Sequence, residues 1–142
     1  RRPASRFVAS FISETNLFEA TVVGHESGCV VLQSAMGRLT APAPASLPPA
    51  AKNVPVTVSL RPEIIRMGKP PHGAINVFDA RVHHTNYQGE MAQHQVRIES
   101  KGGGAPLELK VFELNPVIVA RDNHTEKATI WFNPEDVTVL TE

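Results

Sequence analysis

The sequence predicts an all-β fold built from two related halves, each a small curled barrel of about five strands. Short runs of branched apolar residues recur between glycine- and proline-containing turns, which is typical of an antiparallel meander. The chain also runs an apolar strand into Pro-Glu twice, at Pro62-Glu63 and at Pro134-Glu135, about half a chain length apart. Because proline cannot donate to a strand ladder, we interpret both sites as corners where a barrel strand leaves its sheet.

Length and composition agree with a packed β domain. The 142 residues are 42% apolar, with 14 acidic and 14 basic side chains, and they suit one domain or two small intertwined halves. The single cysteine, Cys29, excludes an intrachain disulfide. No apolar run approaches the roughly 20 residues of a membrane helix. Binding of single-stranded nucleic acid needs stacking aromatics and a basic groove. The chain has no net positive charge, and core packing explains most of its phenylalanines, so this function is disfavoured.

The first residues differ in pattern from the rest. Phe7, Val8, Phe11 and Ile12 share one face at helical spacing, which predicts a short helix over 5–12. A helix of this length is marginal by itself and must pack on something. Two interpretations stay open at this point: the helix caps this domain, or it packs on a neighbouring one.

The remaining elements are short strands. Residues 17–68 form the first predicted half, "GKPPHG" separates the halves, and residues 74–142 form the second. The alanine- and proline-rich stretch "APAPASLPPAAKN" is predicted to be an extended surface loop. Predicted strands cover 19–23, 29–33, 38–40, 54–60, 78–84, 91–100, 107–113, 127–132 and 137–140, with turns at "TNYQG" and "KGGGAP".

The corner residues are the first candidates for function. Arg61 and Glu63 flank Pro62 and could form an ion pair or contact a partner subunit. We favour a structural role, with Glu63 accepting from backbone amides that the corner leaves unpaired. Glu63→Ala is then expected to lower thermal stability more than it alters binding.

Other conspicuous residues have ordinary explanations. His83, His84 and His94 do not predict a metal site, because neighbours on a strand point to opposite faces and no ligand spacing recurs. Tyr87 and Gly89 are assigned to a strand-connecting turn. Of the adjacent Trp131 and Phe132, one side chain is expected in the core and the other at an interface.

The motifs of ATP hydrolysis are missing. No G-x-x-x-x-G-K-[ST] occurs, and "KGGG" is interpreted as a hairpin turn because its lysine precedes the glycines. We expect no catalytic residue, metal ligand or cofactor in this chain.

Four stretches, "FVASFISETNLFEATVV", "VSLRPEIIRMG", "VHHTNYQGE" and "TIWFNPEDVTVL", resemble in order the C-terminal TOBE (transport-associated OB) region of ABC importer ATP-binding subunits. The resemblance runs from Phe7 to Leu140 and is nearest to the spermidine/putrescine type. It implies OB-like barrels of the TOBE and MOP (molybdate-binding) kind. The loop 41–53 has no counterpart in it.

The resemblance also implies a role. The parent would carry an N-terminal domain that hydrolyses ATP with Mg²⁺ as a dimer on the cytoplasmic face of the inner membrane. Residues 1–16 would be the junction to that ATPase domain, and the rest a regulatory domain contacting a second copy and, through the parent, the membrane permease subunits. The alternative is a module that binds a small solute or an oxyanion. Interface or structural candidates are Phe7, Phe11, Arg61, Pro62, Glu63, Tyr87, Gly89, Trp131, Pro134 and Glu135.

Overall fold

The all-β prediction is confirmed by a computed structural model, which describes residues 14–114 and 126–141. The predicted helix over 5–12 lies outside these residues. No helix within the described ranges is long and apolar enough to cross a membrane. The strands are β1 (Asn16–Glu26), β2 (Cys29–Ser34), β3 (Gly37–Pro42), β4 (Pro55–Leu60), β5 (Arg66–Met67), β6 (Asn76–Gln88), β7 (Met91–Ile98), β8 (Leu107–Leu114), β9 (Glu126–Phe132) and β10 (Thr138–Leu140).

These strands form two antiparallel five-stranded sheets. The first sheet has the order β10-β4-β1-β2-β3 and the second the order β5-β9-β6-β7-β8. In each sheet the two outermost strands approach each other, β10 towards β3 and β5 towards β8, so both sheets curl into small OB-like barrels. The barrels therefore have the same strand order: a three-strand meander, a fourth strand that returns to pair with the first of these, and one added strand.

The added strand always comes from the other half of the chain. A 3₁₀ turn at Pro62–Ile64, the first corner, carries the chain out of the first sheet, and β5 then pairs with β9. A matching turn at Pro134–Asp136, the second corner, leads into β10, which pairs with β4. The two Pro-Glu sites are thus the crossovers of a reciprocal strand exchange. Because of this exchange, each sheet contains one strand from the other half of the chain. The predicted division into residues 17–68 and 74–142 stays a prediction.

The core follows the period-two alternation of the strands. Inward side chains such as Val22, Leu32 and Val58 are fully buried in the first barrel, and Val96 and Ile130 in the second. Each fully buried side chain of this size contributes about 1.5–3 kcal/mol of hydrophobic stabilisation. Both meanders carry a β-bulge at the corresponding place of their first strand, after Val22 and after Val82, which increases the curl that closes a small barrel.

Two buried asparagines join the barrels. Asn76, at the start of β6, donates from Nδ2 to the carbonyl of Thr40 at 2.9 Å and accepts from its N–H at 2.9 Å. Asn16, at the start of β1, makes the same pair of bonds with Lys110 in β8, at 2.9 and 2.8 Å. Each side-chain amide therefore pairs with an outermost strand, β3 or β8, of the opposite barrel, and satisfies backbone groups that a sheet edge leaves unpaired.

The alanine- and proline-rich loop differs from its prediction. It is compact and rich in turns, and Pro44 and Leu47 are buried, with Leu47 part of the core. Backbone bonds from Ala43 to Gly28 and from Asn53 to Val22, at 3.2 and 2.7 Å, hold its two ends against the first barrel. Burial of Leu47 removes apolar surface from water and so favours packing of the loop against the barrel. Composition alone did not predict this contact.

The turn predicted at "TNYQG" is also shorter than expected. Strand β6 continues through Tyr87 and Gln88, and only Gly89 and Glu90 form the turn, with Gly89 at φ 62°. The strand extends because Thr85 and Tyr87 stay in register with His94 and Ala92 of β7 beyond the bulge.

Candidate functional site

The first corner is a short turn fixed by its own backbone and by the core. Pro62 is buried, and the N–H of Ile64 donates to the carbonyl of Arg61 at 3.1 Å. Ile65, directly after the turn, is 1% exposed and anchors it in the core. The corner packs against β8, so it lies where the second barrel closes. Its position leaves Arg61 and Glu63 at the surface on either side of the buried proline.

Arg61 and Glu63 form an ion pair across this corner. The guanidinium Nε donates to Glu63 Oε2 at 2.7 Å, and both side chains are about half exposed. Partial desolvation alone would raise the pKa of Glu63, but a hydrogen bond from its own backbone N–H and the Arg61 guanidinium outweigh it, so the pKa lies below its ordinary value. The Glu63 carboxylate thus makes both the ion pair with Arg61 and a hydrogen bond with a backbone N–H. From the sequence these two roles were alternatives.

Glu63→Gln is expected to lower the melting temperature at pH 7 by about 1–3 °C, which corresponds to less than about 1 kcal/mol for so exposed a pair. A lowered folded-state pKa contributes stability above the unfolded value, about 4.3, and that contribution is lost as pH falls through the folded value. The difference between wild type and variant should therefore vanish at the acidic end of a thermal-melt series from about pH 7 to pH 2. Glu90→Gln, in an exposed turn, is the matched control; a Glu63 difference that persists at the acidic end would contradict the assignment.

The second corner repeats the backbone but not the ion pair. The N–H of Asp136 donates to the Asn133 carbonyl at 3.0 Å, and that of Val137 to the Pro134 carbonyl at 3.1 Å. Pro134 is half-buried and Glu135 is exposed. This corner packs against β3, as the first corner packs against β8.

A groove, named the corner groove, lies beside the first corner on the outer face of the second barrel. It has a volume of about 640 Å³. It crosses the place where β5 approaches β8, so the strand exchange creates it. The lining residues are Glu14, Arg61, Glu63, Ile65, Arg66, Met67, Met91, Val111, Phe112, Glu113, Leu114 and Trp131.

Trp131 provides the most unusual group in this groove. Its neighbours on β9, Ile130 and Phe132, are in the core, whereas Trp131 points to the outer face and is half-buried. The indole Nε1 is buried and has no hydrogen-bond partner within residues 14–114 and 126–141. A buried N–H without an acceptor costs free energy, so an acceptor on any group that enters the groove would stabilise this position. Phe132 is the core member of the pair and stacks on Phe78 with ring centroids 5.7 Å apart.

The three histidines are separated. His83, the extra residue of the bulge, lies 3.0 Å from Glu108, and His84 is exposed. His94 is 1% exposed: its Nε2 donates to Glu113 at 2.8 Å, and its Nδ1 lies 2.9 Å from the Thr85 hydroxyl. No group of three potential metal ligands converges in the described part of the chain.

A second, larger cleft of about 930 Å³ lies on the second sheet. Lys127, Arg81 and Arg97 are aligned across β9, β6 and β7, and Glu108 on β8 ends the row. Partial desolvation would raise the pKa of Glu108, but hydrogen bonds from Arg97 and His83 outweigh it and hold this pKa below its ordinary value. Asp79 and Glu99 also line the cleft, so its charge is mixed.

The family of this chain follows from a match to residues 58–140. They match the family model described as the TOBE domain, and this stretch covers both corners, the crossover strands and the whole second meander. The chain belongs to the TOBE domain family. The resemblance on which the sequence prediction relied is therefore confirmed.

Curated relatives of this chain include polyamine transport proteins. The chain is 39% identical over 101 residues to the spermidine/putrescine import ATP-binding protein PotA of Rubrobacter xylanophilus, covering 70% of this chain and 26% of that protein. It is 35% identical over 101 residues to the putrescine transport ATP-binding protein PotG of Escherichia coli, covering 69% and 26%. The chain thus spans about a quarter of the length of these relatives.

A solved structure has the same fold. The cytoplasmic molybdate-binding protein ModG, with molybdate bound, superposes with a TM-score of 0.62 at 18% identity, covering 89% of this chain and 96% of ModG. At this identity the likeness establishes the OB-like barrel architecture, and no binding property.

The structure brings three of the predicted site residues together. Arg61, Glu63 and Trp131 all line the corner groove, although they come from different halves of the chain. Phe7 and Phe11 fall outside the described residues. The groove therefore contains both the first corner and Trp131, which the sequence did not place together.

Other predicted residues lie apart from the groove, and two structural residues were missed. Tyr87 and Gly89 lie at the β6–β7 hairpin, and Pro134-Glu135 lies at the second corner. Sequence reasoning missed Asn16 and Asn76, which join the barrels. Their only signal was an asparagine placed directly before an apolar alternation in each half.

Proposed function

We propose that this TOBE domain is the C-terminal regulatory and dimer-contact domain of the ATP-binding subunit of a polyamine-type ABC importer. The observation that carries the proposal is the match of up to 39% identity to PotA and PotG proteins over about 100 residues. Its partners are the ATPase domain of its own chain, a second copy, and the membrane permease subunits at the cytoplasmic face. ATP and Mg²⁺ belong to the ATPase domain, and no cofactor or nucleic acid is assigned to this one.

The strand exchange fits a mechanical role. Each barrel holds a strand of the other half, and the Asn16 and Asn76 bonds join the barrels again, so we expect them to move as one body. A rigid body that touches its twin differently in the open and closed ATPase dimers shifts the equilibrium between them by its difference in contact free energy. A domain of this kind regulates without contributing a reacting side chain.

Two preparations test the proposal: the full ATP-binding subunit with and without this domain. The 142-residue chain alone is expected to release no phosphate from ATP. Removing the domain should weaken ATP-dependent dimerisation several-fold by sedimentation, while the truncated subunit keeps its turnover at protein concentrations high enough to form the dimer. Equal dimerisation with and without the domain would refute the regulatory role.

A second candidate is direct binding of an oxyanion, favoured by the row of Lys127, Arg81 and Arg97 in the large cleft. Calorimetric titration of the chain with molybdate and sulfate, and with spermidine and putrescine, separates the candidates. Binding of an anion that Arg81→Ala weakens by about tenfold or more supports this second function, since that loss is the size expected for a direct charged contact. No heat with any of these solutes supports the mechanical role.

A further inference from the structure

The corner groove has the composition of a docking site for an apolar segment. Phe112, Met91, Met67 and Trp131 are half-buried on its walls, and Leu114 is 75% exposed at its rim. A cluster of large apolar side chains in one open concavity marks an interaction surface. The buried Trp131 Nε1, without a partner among the described residues, adds a donor that a backbone carbonyl or hydroxyl would satisfy.

The charged groups of the groove favour a cationic occupant. Glu14, Glu63 and Glu113 line it, against Arg61 and Arg66. Arg61 already pairs with Glu63, and Glu113 accepts from the buried His94. The Arg61–Glu63 pair is neutral, so Glu14, Glu113 and Arg66 leave one net negative charge on the lining. An occupant with apolar side chains and flanking cations would complement this charge.

The start of the described chain lies in this groove. Asn16 is held against β8 by its two bonds to Lys110, and Glu14, two residues earlier, is itself a lining residue. Three residues span at most about 11 Å, so Phe11 cannot lie farther than that from Glu14. The segment before Glu14 is therefore tethered within reach of the groove.

Residues 1–13, which precede Glu14 and lie outside the described residues, have the complementary sequence. Phe7, Val8, Phe11 and Ile12 recur at the spacing that would place them on one side of a helix. Three cations precede or flank these apolar residues, at Arg1, Arg2 and Arg6. The segment thus offers the apolar side chains and the positive charge that the groove would accept.

We propose that the corner groove is the docking site for residues 1–13 of this same chain, with Phe7 and Phe11 beside Trp131 and the arginines facing the carboxylates. The assignment does not depend on the proposed function. If that function is right, however, a segment leading to the ATPase domain is seated on the first crossover, where it can transmit motion to both barrels.

The single tryptophan makes the groove directly observable, because Trp131 is the only indole in the chain. In the full 142-residue chain, Phe7→Ser together with Phe11→Ser is expected to shift the tryptophan emission to the red, because water reaches the uncovered indole. Acrylamide quenching should rise about twofold or more, as expected for a side chain that loses its apolar cover.

The matched control introduces serine on the opposite side of the same segment. Ala9 is two positions from both phenylalanines and off the apolar face, so Ala9→Ser should leave emission and quenching at the wild-type values. Circular dichroism verifies that the double variant keeps its β fold. Unchanged Trp131 quenching in a folded double variant would overturn the proposal.

A second measurement identifies the partner of the segment. Leu114→Lys at the groove rim and the Phe7/Phe11 substitutions should lower the melting temperature non-additively, since both remove the same contact. Ile75 is an exposed apolar residue outside the groove, so the change in melting temperature from Ile75→Lys should add to that from the Phe7/Phe11 substitutions. Additive melting shifts with Leu114→Lys would overturn the proposal. An emission change that depends on protein concentration would instead identify a second copy as the occupant and also overturn it.

Discussion

Asn76→Ala is expected to lower the melting temperature of the chain by about 10 °C, equivalent to roughly 3 kcal/mol for a domain of this size. Asn76 is fully buried and exchanges two hydrogen bonds with the backbone of Thr40. Removing its amide leaves an N–H and a carbonyl of β3 without partners between the barrels, and each such group costs about 1–3 kcal/mol. The loss exceeds that of an ordinary surface asparagine because these backbone groups lie between two packed barrels.

The matched control for this substitution lies on the same strand. Asn86→Ala, at an exposed position of β6, should shift the melting temperature by less than about 2 °C. The isosteric change Asn76→Asp separates hydrogen bonding from packing, because the carboxylate can still accept from the Thr40 N–H but turns a second acceptor towards the Thr40 carbonyl. It should destabilise the chain at least as much as alanine does. Equal melting temperatures for Asn76→Ala and Asn86→Ala would show that the Asn76–Thr40 hydrogen bonds contribute little to stability.

Val139→Asp is expected to have the second large effect, a loss of about 3–5 kcal/mol or failure to fold. Val139 is 4% exposed in β10 and lies opposite the fully buried Val58 of β4. An aspartate there would place a carboxylate in an apolar core without a partner. Since β10 reaches the first barrel from the second half of the chain, the damage should extend to both barrels.

Amide hydrogen exchange measures whether the destabilisation by Val139→Asp reaches both barrels. In Val139→Asp, amides of β6 and β7 in the second sheet should lose protection together with those of β1 and β4 in the first. Thr138→Asp, whose side chain points to the opposite face of β10, is the control and should cost less than about 1 kcal/mol. Protection that is lost in the first sheet alone would show that the exchanged strands do not couple the barrels.

Much of this architecture could be predicted from local chemistry. Alternating apolar residues marked most strands, and Pro62 and Pro134 marked the corners, because a residue without an N–H cannot continue a ladder. The strand limits were less accurate near Tyr87, where pairing with β7 prolongs β6 beyond the residues that a turn would suit. Leu47 shows a similar limit: its burial depends on the barrel end that the loop covers.

The corner groove could not be predicted in this way. Trp131 and Glu63 were each conspicuous in the sequence, but the second half of the chain had to fold onto the first before they could share a surface. His94 and Glu113 likewise meet only because β7 and β8 pair in one register.

The sequence by itself determined the all-β class, the repeated corner and the apolar face of most strands, because these depend on side-chain alternation and on backbone donors within a few residues. Only the tertiary structure decided that each corner delivers its strand to the other barrel, and that Asn16 and Asn76 bond to Lys110 and Thr40. Those choices depend on which distant edge offers unpaired N–H and C=O groups at the right distance, and no local pattern encodes that distance.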